Sequence, residues 1–77
     1  MGAPEALGLA IRERRSELGL SPEQASSVVG VEPGWLARVE EGAADLTLDR
    51  LLSLAGALDT SLSALFRRAE ELARPAS

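Results

Sequence analysis

A helix start is written into this chain at Pro4, Ser21, Pro33, Thr47 and Ser61, and a stop follows each one before the next begins. Such dense punctuation leaves no room for a long helix, and no strand pattern appears between the signals. The chain is confined to short helices packed on one another. Pro4 suits the first turn of a helix that runs to Leu18, with Gly19 as its stop. The run "SPEQ" reads as a capping box, with Ser21 as N-cap, Pro22 at the first helical position and Gln24 reaching back. This second helix ends before Gly30. A third occupies Pro33 to Glu41, closed by Gly42, behind Glu32, a mediocre cap whose charge suits the helix dipole. Thr47 caps the fourth, which closes at Asp59, a residue that tolerates left-handed backbone. Ser61 caps the fifth, and Pro75 ends it.

The apolar residues follow the same period. Leu7, Ile11 and Leu18 supply the inner stripe of the first helix, Ala25, Val28 and Val29 that of the second, and Leu36 and Val39 that of the third. In the fourth, Leu48, Leu51, Leu52, Ala55 and Leu58 recur at helical spacing. Leu62, Leu65 and Phe66 complete the core from the fifth. Ala69, Leu72 and Ala73 continue that stripe past the point where a small core covers them. Either they belong to an amphipathic tail supported by Glu70 and Arg74, or Phe66, Ala69, Leu72 and Ala73 meet a second copy across a two-fold axis. The expectation is a compact all-α, five-helix domain spanning residues 1–77. Its core covers about 5–66, residues 67–74 extend the fifth helix, and Met1 to Ala3 and Pro75 to Ser77 are frayed.

Composition removes most chemistry. The chain has no Cys, His, Lys, Tyr or Asn, so the usual metal ligands, general bases and Lys or Cys nucleophiles are missing. Glu40-Glu41 and Glu70-Glu71 are sequence neighbours, and neighbours on a helix point about 100° apart rather than toward one substrate. No active site, cofactor or metal is expected. With no cysteine, no signal-like N-terminus and no apolar run of membrane-spanning length, the expectation is a cytoplasmic protein with no membrane partner. The net charge is −4. Its distribution says more than its sum. Between Leu20 and Asp49 the only cation is Arg38, against Glu23, Glu32, Glu40, Glu41, Asp45 and Asp49: one against six, so −5.

Gly30 separates two short helices with Val31 beside it, which is helix-turn-helix spacing. The run "AIRERRSELGLSPEQASSVVGVEPGWLARVEEGAADLTLDRLLSLAGALDTSLSALF", Ala10 to Phe66, resembles the Cro/CI-type (XRE) helix-turn-helix family. The resemblance rests on an Arg-rich first helix, "LGLS" before the second, "VGV" in the turn, "VEEG" closing the third and a Ser-capped "SLSALF". Length and the fifth helix also resemble the small controller proteins of restriction–modification systems. The resemblance implies a lambda-repressor-like fold and a homodimeric, sequence-specific transcriptional regulator on a palindromic stretch of double-stranded DNA. The third helix would enter the major groove and the start of the second would meet the backbone.

Carried over position by position, the resemblance places Arg38, Trp35, Gly34 and Pro33 at bases. It places Arg12, Arg14, Pro22, Glu23 and Arg50 at phosphates. Arg15 and Glu40 match a structural ion pair. Trp35 either covers apolar core or lies against a sugar or thymine methyl. The departures are as informative: Pro22, Pro33 and Gly34 stand where the family often carries side-chain donors, and "EEGAAD" replaces a basic loop. Base edges are read by donors and acceptors, which Pro and Gly side chains lack. A contrasting reading follows, in which the motif persists as a protein-interaction module with Trp35 as its anchor.

Overall fold

The computed structural model describes residues 2–43 and 46–74. Five helices follow in order: α1 (Ala3–Glu17), α2 (Pro22–Val29), α3 (Pro33–Glu40), α4 (Leu48–Ala57) and α5 (Leu62–Ala73). The caps form as the residue types require. Ser21 Oγ accepts from the Gln24 amide at 3.1 Å, and Gln24 Oε1 accepts from the Ser21 amide at 2.8 Å. Thr47 Oγ1 and Ser61 Oγ accept from the amides of Arg50 and Ala64. Glu32 makes no side-chain cap bond. Gly19, Gly30 and Gly42 take left-handed backbone after α1, α2 and α3, and Asp59 does so after α4. Ala3 is the first residue of α1 rather than a frayed one. Met1 and Pro75 to Ser77 lie outside the described residues, as do Ala44 and Asp45.

α1 packs along α5 and also meets α3; α2 packs on α3 and α4, and α4 closes on α5. Together they bury Ala10, Ile11, Ala25, Trp35, Leu36, Val39, Leu54, Ala55, Leu58 and Leu65. The inward face of α4 differs from the expected stripe. Leu54 is fully buried, whereas Leu48 is 64% exposed and Leu52 is also exposed. Leucines at 48, 51, 52, 54 and 58 fill more than one helical face, so periodicity alone left the rotation of α4 open. The neighbouring helices set it. Val28, Leu18 and Phe66 likewise face outward, while Val29 and Leu20 pack against the core and Leu65 lies within it.

One contact in this packing has no counterpart in the apolar pattern. Gly8 is buried in α1 where a Cβ would overlap the carbonyl oxygens of Val39 and Glu40. The backbone of α1 therefore lies directly on the last turn of α3. Gly42 repeats the device one turn along: a Cβ there would stand 2.9 Å from the Glu5 nitrogen.

Candidate functional site

α2, the Gly30 turn and α3 carry the positions singled out in sequence, and the geometry begins with how α3 is held. The Gly30 and Val31 amides both donate to the Ser26 carbonyl oxygen, at 2.8 and 3.0 Å, which fixes the turn. From the other side, Arg15 of α1 forms a two-pronged pair with Glu40: Nε to Oε2 at 2.8 Å and Nη2 to Oε1 at 3.0 Å. The Arg15 Nη1 donates to the Leu20 carbonyl at 2.9 Å, so one guanidinium ties α1, the following turn and α3 together. The hydrogen bond to Glu40 holds the Arg15 proton more tightly than usual, against a smaller opposing effect of burial. The side chains are only 12% and 10% exposed.

With α3 so fixed, Pro33, Gly34, Ala37 and Arg38 face solvent. Pro33 occupies the first turn, where its missing N–H removes no helical bond. Among the described residues, only the Arg38 Nη1 lies near the missing Cβ of Gly34, at 3.8 Å, so the Arg38 side chain lies back along the helix toward Gly34. Trp35 is placed differently from a base-reading residue. It is 6% exposed and belongs to the core cluster. The guanidinium of Arg50, in the first turn of α4, stands over its ring with Cζ 5.0 Å from the centroid. Of its two readings, the core-covering one matches this burial and the place of Trp35 in the core cluster.

Gly30, Val31, Glu32, Trp35, Arg38 and Arg50 line an open hollow of about 320 Å³ between α3 and α4. Arg38 and Arg50 thus come together. Arg12 and Arg14 do not join them; both line a groove between α1 and α5. Arg14 is also engaged internally, with Nε on the Leu58 carbonyl at 2.8 Å and Nη2 on the Asp59 carbonyl at 3.0 Å. Its cation closes the C-terminal end of α4, where helix carbonyls carry partial negative charge. At the start of α2, Pro22 has no amide hydrogen and the Gln24 amide is bonded to Ser21. Glu23 is exposed and adds negative charge. On α5, Ala69 and Leu72 are partly buried against the core, Ala73 is half-buried, and Phe66 is 42% exposed.

Two features escaped sequence reasoning. The stacking of Arg50 on Trp35 joins residues on different helices, and no local spacing signals it. The same holds for the α1–α5 pair of Arg68 with Glu13, at 2.8 and 3.0 Å. No described helix is long and apolar enough to cross a membrane.

Comparison with family models matches residues 6–69 to a helix-turn-helix domain. Among solved structures, the clp gene regulator ClgR from Corynebacterium glutamicum superposes with a TM-score of 0.89 at 28% identity, covering 92% of this chain and 91% of that one. The restriction-modification controller protein C.AhdI from Aeromonas hydrophila gives 0.72 at 31% identity, covering 83% and 91%. A mutant of the controller protein C.Esp1396I gives 0.85 at 18% identity over 97% and 98%, a likeness of fold alone. Comparison with curated proteins gives no significant match.

Proposed function

The chain belongs to the helix-turn-helix domain family, and from that premise we propose that it is a sequence-specific, DNA-binding transcriptional regulator of the Cro/CI type. In this reading it acts in the cytoplasm as a homodimer on a palindromic operator. ClgR is described as a gene regulator and C.AhdI as a controller protein, and a regulatory role for this chain rests partly on those likenesses. The observation that carries the reading is local. α3 is clamped to the body by Gly8 and by the Arg15–Glu40 pair, and it turns Arg38 outward beside Arg50.

α3 then enters the major groove with Arg38 at a base edge, where a bidentate contact to guanine is the common use of arginine. Arg50 takes a phosphate, and Gly34 and Pro33 approach the groove by shape alone. Direct readers are few, so sequence preference leans on how readily the duplex deforms. A dimer reads half-sites about 34 Å apart. Its contact is formed by Phe66, Ala69, Leu72 and Ala73 of α5 and centres on Phe66, the most exposed of the four.

The acidic segment from Leu20 to Asp49 favours the second reading, a protein-interaction module, because a duplex carries one negative charge per ~1.7 Å of axis. One titration separates the two. Fluorescence anisotropy of a labelled random duplex, at two salt concentrations, is expected to show binding that weakens steeply with salt. An unshifted duplex at low salt removes the DNA reading and leaves the protein partner. Within the DNA reading, Arg38→Ala is expected to weaken operator binding by ~1–3 kcal/mol and relax one base position. Unchanged affinity and preference would place some other surface in the groove.

A further inference from the structure

The Arg50 side chain differs from the other arginines whose partners are described. Arg14, Arg15 and Arg68 direct their guanidiniums at carbonyl or carboxylate oxygens within the chain. Arg50 has its guanidinium carbon over the Trp35 ring, 5.0 Å from the centroid, while among the described residues no oxygen takes its N–H groups and no carboxylate lies within ion-pair distance. Both ends of this side chain are anchored. Its backbone sits in the first turn of α4, with the amide bonded to Thr47 Oγ1 at 3.2 Å. Its head rests on a ring that the core immobilises. A guanidinium held over a ring with no oxygen partner keeps its N–H donors available, and its planar fork matches a phosphate bidentately.

We propose that Trp35 is a positioning residue of the DNA interface. It touches no base, and it holds the Arg50 guanidinium in the orientation that grips one phosphodiester at the mouth of the α3–α4 hollow. This rests on the DNA-binding reading above. An unanchored arginine would have to give up the freedom of a long, flexible stem on binding; one already stacked has given it up in the free protein. Arg38 lines the same hollow, so the seated phosphate fixes the register of the one equipped reader beside it. Glu32 lines it too and opposes the phosphate. With so few cations on this face, the grip depends on how Arg50 is aimed as well as on its charge.

The test compares random-duplex binding of the full chain with that of Arg50→Lys, Arg50→Ala, Trp35→Phe and Trp35→Leu, by anisotropy across a salt series. Lysine keeps the charge and cannot stack as a planar fork. Arg50→Lys is expected to lose about threefold to tenfold in affinity, close to Arg50→Ala, while keeping the wild-type salt slope. Arg50→Ala is expected to lower that slope by about one. Trp35→Phe is expected to restore most of the binding that Trp35→Leu loses, and adding Arg50→Ala to Trp35→Leu is expected to cost nothing further. Where Trp35→Leu proves unfolded by circular dichroism, Arg50→Lys decides. Wild-type affinity in Arg50→Lys overturns the positioning role and leaves DNA binding standing; a wild-type chain that binds no duplex overturns both.

Discussion

Ser26 is buried in α2, and its hydroxyl has no hydrogen-bond partner among the described residues. A buried unpaired hydroxyl destabilises the folded state, and alanine is also the better helix former. Ser26→Ala is expected to stabilise the protein by about 1 kcal/mol, read as a higher urea midpoint at unchanged slope. Gly8 carries the opposite prediction. A methyl group there meets backbone oxygens that have no rotamer by which to escape. Gly8→Ala is expected to lower stability by ~1–3 kcal/mol in the same titration, despite alanine's greater helix propensity. Neither position was legible in the sequence. A serine and a glycine inside helical patterns look like weak helix formers, and only the approach of another element gives them meaning. Trp35 was half legible: its aromatic character pointed to core or ligand, and the placement of α3 decided for the core.

At the scale of elements, the sequence was far more readable. Caps act through bonds three residues apart, so "SPEQ", Thr47 and Ser61 announced the starts of α2, α4 and α5 without help from the rest of the fold. Ser21→Ala is expected to cost about 1 kcal/mol, seen as a lower melting temperature with the helical signal otherwise kept. What local spacing leaves undetermined is rotation about a helix axis. Leu54 took the place in the core that Leu48 and Leu52 had seemed to claim, because α4 offers apolar residues on several faces and its neighbours choose one. The seating of α3 also depends on a partnership between elements. Glu40→Ala leaves the Arg15 guanidinium with only the Leu20 carbonyl in a largely enclosed place. The expected loss is about 2–3 kcal/mol, between the values for exposed and fully buried pairs. Arg15→Ala with Glu40→Ala together should cost less than the sum of the two single changes.

For the molecule as a whole, charge sets the behaviour. Hydrogen bonds from Arg68 hold the Glu13 carboxyl below the usual carboxylate range, against a smaller desolvation effect. A lowered folded value means stability that is fully present above the ordinary carboxylate pKa and is lost as pH falls through the lowered one. Glu13→Gln is therefore expected to flatten the acid limb of a stability–pH profile and leave neutral pH nearly unchanged. The difference should be small and fade with added salt, because both partners are close to half exposed. The proposed self-association is tested at Phe66: Phe66→Asp is expected to leave the helical signal intact while shifting sedimentation toward the single chain. Gly8 has one more consequence. Because two main chains touch there, and because Arg15 grips α3 from behind, its attachment makes no use of the groups it shows to solvent. Pro33, Gly34, Ala37 and Arg38 form a surface that a protein engineer can rewrite with the scaffold left alone. Grafting a polar residue such as glutamine at Gly34 tests how far the proposed base readout can be redirected.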